Sequence, residues 1–141
     1  MNSLIIIYPN ELDFIENRVH RIFEKDLNTD YEKIYSSSQN GDTRDKFIER
    51  VGKEKNILIL INLRSGDKIA GFSNSNWGVR GEKIDNSAFL MNITKKKIYE
   101  MLEGEINLTS SKDSVFIFGN EKYYALKVFN NFLKKGGESN C

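Results

Sequence analysis

One mainly apolar run, NILILINL at residues 56–63 with five consecutive apolar residues at 57–61, constrains the fold of this chain more than any other feature. A strand with one buried face alternates apolar and polar residues, whereas a run without alternation indicates a strand that is covered on both faces. A short polar turn at 64–67 leads into a second apolar segment at 68–74. Together these segments predict a β-hairpin within a sheet whose two faces are both covered by other parts of the chain.

The segment before this hairpin predicts a helix near the N-terminus. Residues 4–8 are expected to form a short strand or an apolar lead-in that Pro9 closes, and Asn10 is expected to cap the following helix. The helix would carry one apolar stripe at helical spacing, formed by Leu12, Ile15, Val19, Ile22 and Phe23.

A second helix is predicted just before the apolar run. Residues 31–37 look extended, and the Asn-Gly pair within 38–42 is typical of a turn. Asp42 is then expected to cap a helix that carries Phe47 on its apolar face, and Gly52 is expected to end it.

The rest of the chain predicts mainly strands. Apolar segments at 87–93 and 98–102 are separated by three lysines at 95–97, and two further segments at 114–119 and 122–129 are joined by a Gly-Asn turn. The tail beyond them is polar and rich in glycine. Helices followed by a run of antiparallel strands place the chain in the α+β class.

Length, charge and cysteine content narrow the classes of function. The 141 residues suit one domain with a sizeable core, and a net charge of +1 provides no strong field for nucleic acid or acidic lipid. The apolar run at 4–8 is too short for a signal peptide or a membrane span, and a single cysteine, Cys141, suits a reducing compartment. The sequence therefore predicts a cytoplasmic protein without membrane insertion.

Residues that could support catalysis or metal binding are sparse in the sequence. His20 is the one histidine and is expected on the solvated side of the first helix, while Cys141 is terminal. These residues cannot complete a zinc site, a Cys-His pair or a Ser-His-Asp triad. No phosphate-binding, dinucleotide-binding or calcium-binding loop motif occurs in the sequence. We therefore expect no catalytic residue, no metal and no cofactor.

Two alternative functions stay open at this point. An enzyme would need a pocket with convergent polar groups, for which Asp85 with Ser73 or Ser75 is the candidate set. A nucleic-acid-binding or transcriptional regulator would need a basic face, for which the lysines at 95–97 are the candidate. We interpret these lysines as a solvated turn, because no basic face extends them, and expect no nucleic-acid partner.

The irregular segment at 74–86 contains the only tryptophan, Trp77. Gly71, just before it, is expected where a side chain would collide with a neighbouring strand or loop. Trp77 is expected to cover the sheet, and Asp85 with Asn86 to turn the chain into the next strand. The exposed part of this segment is a candidate contact surface for a partner. The candidate contact residues are Asn76, Trp77, Arg80, Glu82 and Lys83.

Several short motifs, taken in this order, resemble the TLDc domain, and the resemblance covers roughly residues 30–141. They are residues 34–38 with Gly41, Phe47, residues 67–72 with Ser73, Ser75 and Trp77, residues 85–90, residues 118–119, and a G-x-S-x-x-C-like end at 136–141. The resemblance implies structural roles for Ser38, Gly41, Gly71, Trp77, Asp85, Asn86, Ala88, Phe89, Phe118 and Gly119.

The resemblance also implies an architecture and a function. It implies antiparallel, β-sandwich-like sheets flanked by short helices, with a TLDc-like domain at 31–141 and an N-terminal strand and helix at 1–30 packed on it. It implies a non-catalytic protein-interaction module without cofactor, linked to resistance to oxidative stress and to subunits of the vacuolar proton-pumping ATPase.

Two departures from the TLDc pattern accompany the resemblance. Residues 69–70 are Ile-Ala where the family has Phe-Gly. Family members also continue past the G-x-S-x-x-C region into further strands, so we expect either a shortened member or a chain whose first 30 residues supply what the family takes from its C-terminus. A sheet that lacks its last strand would have an unpaired edge to which another chain could add.

Overall fold

The computed structural model of the chain describes residues 5–23, 30–101, 104, 108–120, 122–129, 132 and 137–139. The helices are α1 (Pro9–Val19), α2 (Ser37–Asn40) and α3 (Arg44–Val51). The strands are β1 (Ile57–Asn62), β2 (Lys68–Ser73), β3 (Gly81–Lys83), β4 (Phe89–Asn92), β5 (Lys97–Glu100), β6 (Leu108–Ser110), β7 (Ser114–Gly119), β8 (Tyr124–Phe129) and β9 (Gly137–Ser139).

The strands form two antiparallel sheets. One has four strands in the order β1-β2-β4-β5, and the other has five in the order β3-β6-β7-β8-β9. Short helices flank the sheets. This arrangement confirms the predicted α+β class and the antiparallel, sandwich-like sheets that the resemblance implied.

The four-stranded sheet is covered on both faces, as the apolar run at 56–63 predicted. Ile57 belongs to the core between the two sheets, together with Phe118 of β7. Leu58, one residue on, packs on the opposite face with Ile15 and Val19 of α1. Because successive strand residues point to opposite faces, the unbroken apolar sequence of β1 supplies both layers.

Gly71 lies in β2 and faces Phe118 of the opposite sheet. A Cβ atom at this position would lie 2.7 Å from Cζ of Phe118 and 3.0 Å from Cδ2 of Leu90. Real Cβ atoms essentially never come as close to a neighbour as the 2.7 Å contact, so a larger residue would require Phe118 or the sheets to shift. The predicted reason for Gly71 is confirmed, and the neighbour that it would meet first is a residue of the opposite sheet.

The predicted start of α1 was wrong by two residues. The helix begins at Pro9, and Tyr8 rather than Asn10 is its N-cap. Proline suits the first helical position because the N–H that it lacks would have no partner within the helix there. The Glu11 carboxylate accepts the Tyr8 N–H at 3.0 Å. Residues 5–8 form no strand. Leu12, assigned to the buried stripe, is 39% exposed.

The region before β1 differs from the prediction in detail. The short helix α2 occupies most of the predicted turn, and no strand forms at 31–36. Thr43 rather than Asp42 caps α3, because its Oγ1 accepts the Lys46 N–H at 3.3 Å. Gly52 ends the helix as predicted.

The strand predictions hold for the long elements and fail for the short ones. The β1-β2 hairpin is confirmed, with Asn62 opposite Lys68. Three strands were not predicted, namely β3 within the irregular segment, β6, and β9 within the polar tail, which pairs with β8. Tripeptide strands carry too few residues to show a period of two.

Paired charges attach α1 to the four-stranded sheet. The Arg18 guanidinium donates from Nε and Nη2 to the two carboxylate oxygens of Glu100 in β5, at 2.8 Å and 2.6 Å, and lies 4.3 Å from the centre of the Phe89 ring. Lys68 of β2 donates to Glu11. Among the described residues, no helix combines the length and apolar content needed to cross a bilayer.

These ion pairs predict a loss of stability in acid. The hydrogen bond from Arg18 lowers the pKa of Glu100 below its usual 4.5, and the hydrogen bond from Lys68 lowers that of Glu11. Carboxylates with a depressed folded-state pKa stabilise the protein fully above about pH 4.5, and this contribution is lost as the pH falls through the folded pKa. Glu100→Gln should lower the free energy of unfolding by about 1 kcal/mol at neutral pH, because Glu100 is partly open to water.

Urea unfolding of both proteins across a pH series measures this effect. The difference between wild type and Glu100→Gln should vanish in acid. Glu49→Gln is the control, since its pair with Lys46 is exposed on both sides and should contribute little at any pH. A difference for Glu100→Gln that persisted unchanged into acid would contradict the assigned role of the carboxylate.

Candidate functional site

The irregular segment between β2 and β4, residues 74–86, is closed by the carboxylate of Asp85. Its Oδ2 accepts the backbone N–H groups of Asn74 at 2.7 Å and Ser75 at 3.0 Å, and the Ser75 hydroxyl at 3.1 Å. Its Oδ1 accepts the backbone N–H and the hydroxyl of Ser87. Asp85 is buried. One side chain therefore fixes both ends of the segment, which we call the 74–86 loop.

Trp77 is the apolar anchor of the 74–86 loop. Its side chain is 0% exposed and contacts the rings of Phe47, Phe116 and Phe118. The indole Nε1 donates to Oγ of Ser73 at 2.9 Å. The expectation that Trp77 covers a sheet fits this position. Its assignment as a contact residue does not, because the buried side chain has no surface to present to a partner.

The serines of the candidate enzyme site are separated by the structure. Ser75 lies beside Asp85, whereas the Ser73 hydroxyl accepts the indole N–H and is buried. Donors from three neighbouring residues already occupy the Asp85 oxygens. The carboxylate is thus arranged to hold the loop.

The outer side of the 74–86 loop is open to solvent. Arg80 and Glu82, two of the predicted contact residues, are exposed. Val79 and Ile84 are also exposed, by 58% and 54%, although the sequence prediction left them out. Both apolar side chains are thus available, beside the charged residues of the same loop, for contact with a partner.

Lys83 and Asn76, the remaining predicted contact residues, are half-buried and touch each other. The Lys83 ammonium donates to the Asn76 carbonyl and lies 5.8 Å from the centre of the Trp77 ring. Burial lowers the pKa of Lys83, and the positive charge of Arg44 lowers it further. Both residues therefore help to hold the loop, and only part of each faces solvent.

Arg44 is a site residue that the sequence reasoning missed. It is buried at the start of α3, and its Nη2 donates to Oγ of Ser110 at 2.6 Å. That hydroxyl donates in turn to the Trp77 carbonyl at 2.8 Å. Helical spacing was the available signal, since Arg44 shares a face with Phe47 and Val51, whose side chains are buried.

The other motif residues have structural surroundings. Ala88 and Phe89 are buried in or beside β4, and the Phe89 ring stacks on Phe72 at 5.6 Å between centroids. Gly119 has a φ of +124°, and a Cβ atom there would lie 2.5 Å from the Tyr123 carbonyl oxygen. Asn86 accepts the Gly104 N–H at 3.3 Å.

Two motif residues lie near α2, at a distance from β4 along the chain. Ser38 is exposed, with its Oγ 3.0 Å from Oγ of Ser36. The Gly41 carbonyl accepts the Tyr35 hydroxyl. Burial and Asp42 raise the pKa of that hydroxyl to about 12, so it stays protonated as a donor.

Residues weighed for other chemistry are scattered. His20 is half-buried rather than on the solvated side, and Lys95 and Lys96 lie in an exposed turn. Cys141 lies outside the described residues. Within the described ranges, no group of three or more His, Cys, Asp or Glu side chains is arranged to hold a metal ion.

The described part of the chain is an α+β domain with two packed antiparallel sheets. A buried tryptophan and a buried carboxylate hold the loop between β2 and β4 in place. The family model of the TLDc domain matches residues 2–140. The chain therefore belongs to the TLDc domain family. A comparison with curated proteins gave no match.

The family match extends the sequence-based resemblance. It begins at residue 2, so it includes the N-terminal segment that the motif comparison left out. In the structure α1 packs on the four-stranded sheet through Ile15 and Val19. The division into a segment at 1–30 and a domain at 31–141 stays a prediction.

Proposed function

We propose that the chain is a non-catalytic protein-interaction module of the TLDc type, and that it contacts its partner through the outer side of the 74–86 loop. One observation carries the proposal: the loop exposes Val79 and Ile84 while Trp77 and Asp85 fix its backbone from inside. A surface that is held rigid before binding loses little conformational freedom when the partner arrives.

Family membership supports an interaction role, and the resemblance supplies a more specific hypothesis. We propose that the protein acts in the cytoplasm, that its partner is a subunit of the vacuolar proton-pumping ATPase, and that this contact underlies resistance to oxidative stress. The near-neutral charge of the chain favours a protein partner over nucleic acid.

Affinity capture tests the interaction role. The tagged protein, captured from lysate of its own cells and read by mass spectrometry, should enrich proton-pump subunits. The variant Val79→Ser with Ile84→Ser should lose them, because it removes the exposed apolar pair and leaves the interior of the loop unchanged. Tyr123→Ser is the matched control, since Tyr123 is exposed in the turn between β7 and β8.

Each outcome of the capture has a definite meaning. Loss of pump subunits in the loop variant alone supports both the module and the partner. Loss of a different protein in the loop variant alone supports the module and contradicts the partner. Capture profiles that are identical for wild type and loop variant contradict the proposed role of the loop.

The proposal includes the absence of catalysis, and the closeness of Ser75 to Asp85 provides a test of it. An enzyme that used this pair would release product from a chromogenic acyl ester and would lose that activity in Ser75→Ala. We expect the purified wild type and Ser75→Ala to show the same rate as buffer. Turnover by wild type alone would contradict a non-catalytic module.

A further inference from the structure

Positive charge converges at one end of the 74–86 loop. The register of β3 and β6 places Gly81 opposite Ser110, and Arg44 donates to the hydroxyl of that serine. Arg80 immediately precedes Gly81, and its positive charge acts on Arg44. Lys83, two residues further, pairs with Leu108 on β6. We call Arg44, Arg80 and Lys83 the cationic patch.

The electrostatics of the patch agree with this geometry. Burial lowers the pKa of the Arg44 guanidinium, the charge of Arg80 lowers it further, and Asp45 opposes both. In the part of the chain that the structure covers, no carboxylate lies within ion-pair distance of Arg80 or Lys83. Arg80 and Lys83 therefore present positive charge that a negatively charged ligand would neutralise.

The residues around the cationic patch indicate which class of negatively charged ligand fits it. Val79 and Ile84 are exposed on the same loop, and Glu82 adds one negative charge among the cations. Nucleic acid would require a basic face that extends well beyond three residues. A polypeptide with acidic and apolar side chains matches both the charges and the apolar pair.

We propose that the cationic patch binds an acidic segment of the protein partner, whose carboxylates pair with Arg80 and Lys83 while its apolar side chains contact Val79 and Ile84. This inference rests on the proposed function, because it specifies the chemistry of the partner at the same loop. Charge complementarity of this kind speeds association and makes binding sensitive to salt.

Fluorescence anisotropy with designed peptides tests the inference. The probe is a labelled peptide of alternating glutamate and leucine, and the comparison probe alternates glutamine and leucine. Wild-type protein should bind the glutamate peptide more tightly, and the difference should shrink as salt is added. Arg80→Glu with Lys83→Gln should weaken binding of the glutamate peptide at least about fivefold, because two charge pairs are lost.

Arg64→Glu is the control variant for this experiment. Arg64 is exposed in the β1-β2 turn, at the opposite end of β2 from the loop and about 20 Å away along that strand. Thermal unfolding of each variant confirms that it is folded. Equal affinity for the two peptides, or equal weakening by Arg64→Glu and by the patch variant, would overturn the inference.

The capture experiment separates this inference from the proposed function. A partner that survives Arg80→Glu with Lys83→Gln but is lost in Val79→Ser with Ile84→Ser supports the loop as an interaction site and overturns its acidic specificity. Tighter binding of a DNA duplex than of the glutamate peptide would also overturn the inference. Loss of the partner in both loop variants, with retention in Arg64→Glu, supports both proposals.

Discussion

Trp77→Ala should lower the free energy of unfolding by about 3–5 kcal/mol, the range for removing a large aromatic side chain from a packed core. The side chain is 0% exposed and contacts aromatic residues of both α3 and β7. Its removal leaves a cavity between these elements. It also leaves the Ser73 hydroxyl without the indole donor.

Chemical unfolding followed by circular dichroism measures this effect, with two comparison variants. Trp77→Phe keeps part of the packing and loses the N–H, so its cost should be well below that of alanine. Tyr123→Ala removes an exposed ring and should change the free energy by less than about 0.5 kcal/mol. A cost for Trp77→Ala as small as that of Tyr123→Ala would contradict the structural role.

Asp85→Ala should lower the free energy of unfolding by about 2–4 kcal/mol. The substitution removes acceptors for the N–H groups of Asn74, Ser75 and Ser87, and a donor left without a partner away from water costs about 1–3 kcal/mol. Part of this cost is recovered because Asn74 lies at the surface, where water replaces the lost acceptor.

Hydrogen exchange locates the effect of Asp85→Ala within the chain. Amide protons of the 74–86 loop should exchange faster than in wild type, while those of β7 and β8 should change little. Asp13→Ala, which removes an exposed carboxylate from α1, is the control. Unchanged exchange at residues 74 and 75 would show that the carboxylate does not fix the loop.

Long elements with strong apolar patterns could be predicted from the sequence. The run at 56–63 predicted a strand covered on both faces, because a short apolar run without alternation, bounded by polar turns, is typical of such a strand. The requirement for glycine at residue 71 could be predicted in kind. Its neighbour Phe118 could not, since the contact crosses between sheets and depends on their packing.

Short strands and helix caps could not be predicted from the sequence pattern. The N-cap of α1 is Tyr8 and not the predicted Asn10, because Pro9 fits the first helical position and the Glu11 carboxylate accepts the Tyr8 N–H. Strands β3 and β6 have three residues each; β3 pairs with β6, and β6 pairs in addition with β7. Such strands are specified by tertiary contacts rather than by local preference.

The candidate site was only partly predictable for the same reason. The sequence singled out the 74–86 loop as the candidate site, because a tryptophan among small polar residues is unusual in an irregular segment. It could not distinguish the buried Trp77 from the exposed Val79 and Ile84, because an irregular segment has no period that assigns faces. The helical spacing of Arg44 could have placed it on the buried face of α3, but its partner, Ser110, lies in another element and could not be predicted.

Site-specific photo-crosslinking tests most directly the central claim that the outer side of the 74–86 loop contacts a protein partner. A photoreactive amino acid replaces Ile84 in one protein and Arg64, in the distant β1-β2 turn, in another. After irradiation in cells, the protein labelled at residue 84 should form a discrete adduct with another polypeptide, and the one labelled at residue 64 should not. Adducts of equal yield at both positions, or none at residue 84, would contradict the claim.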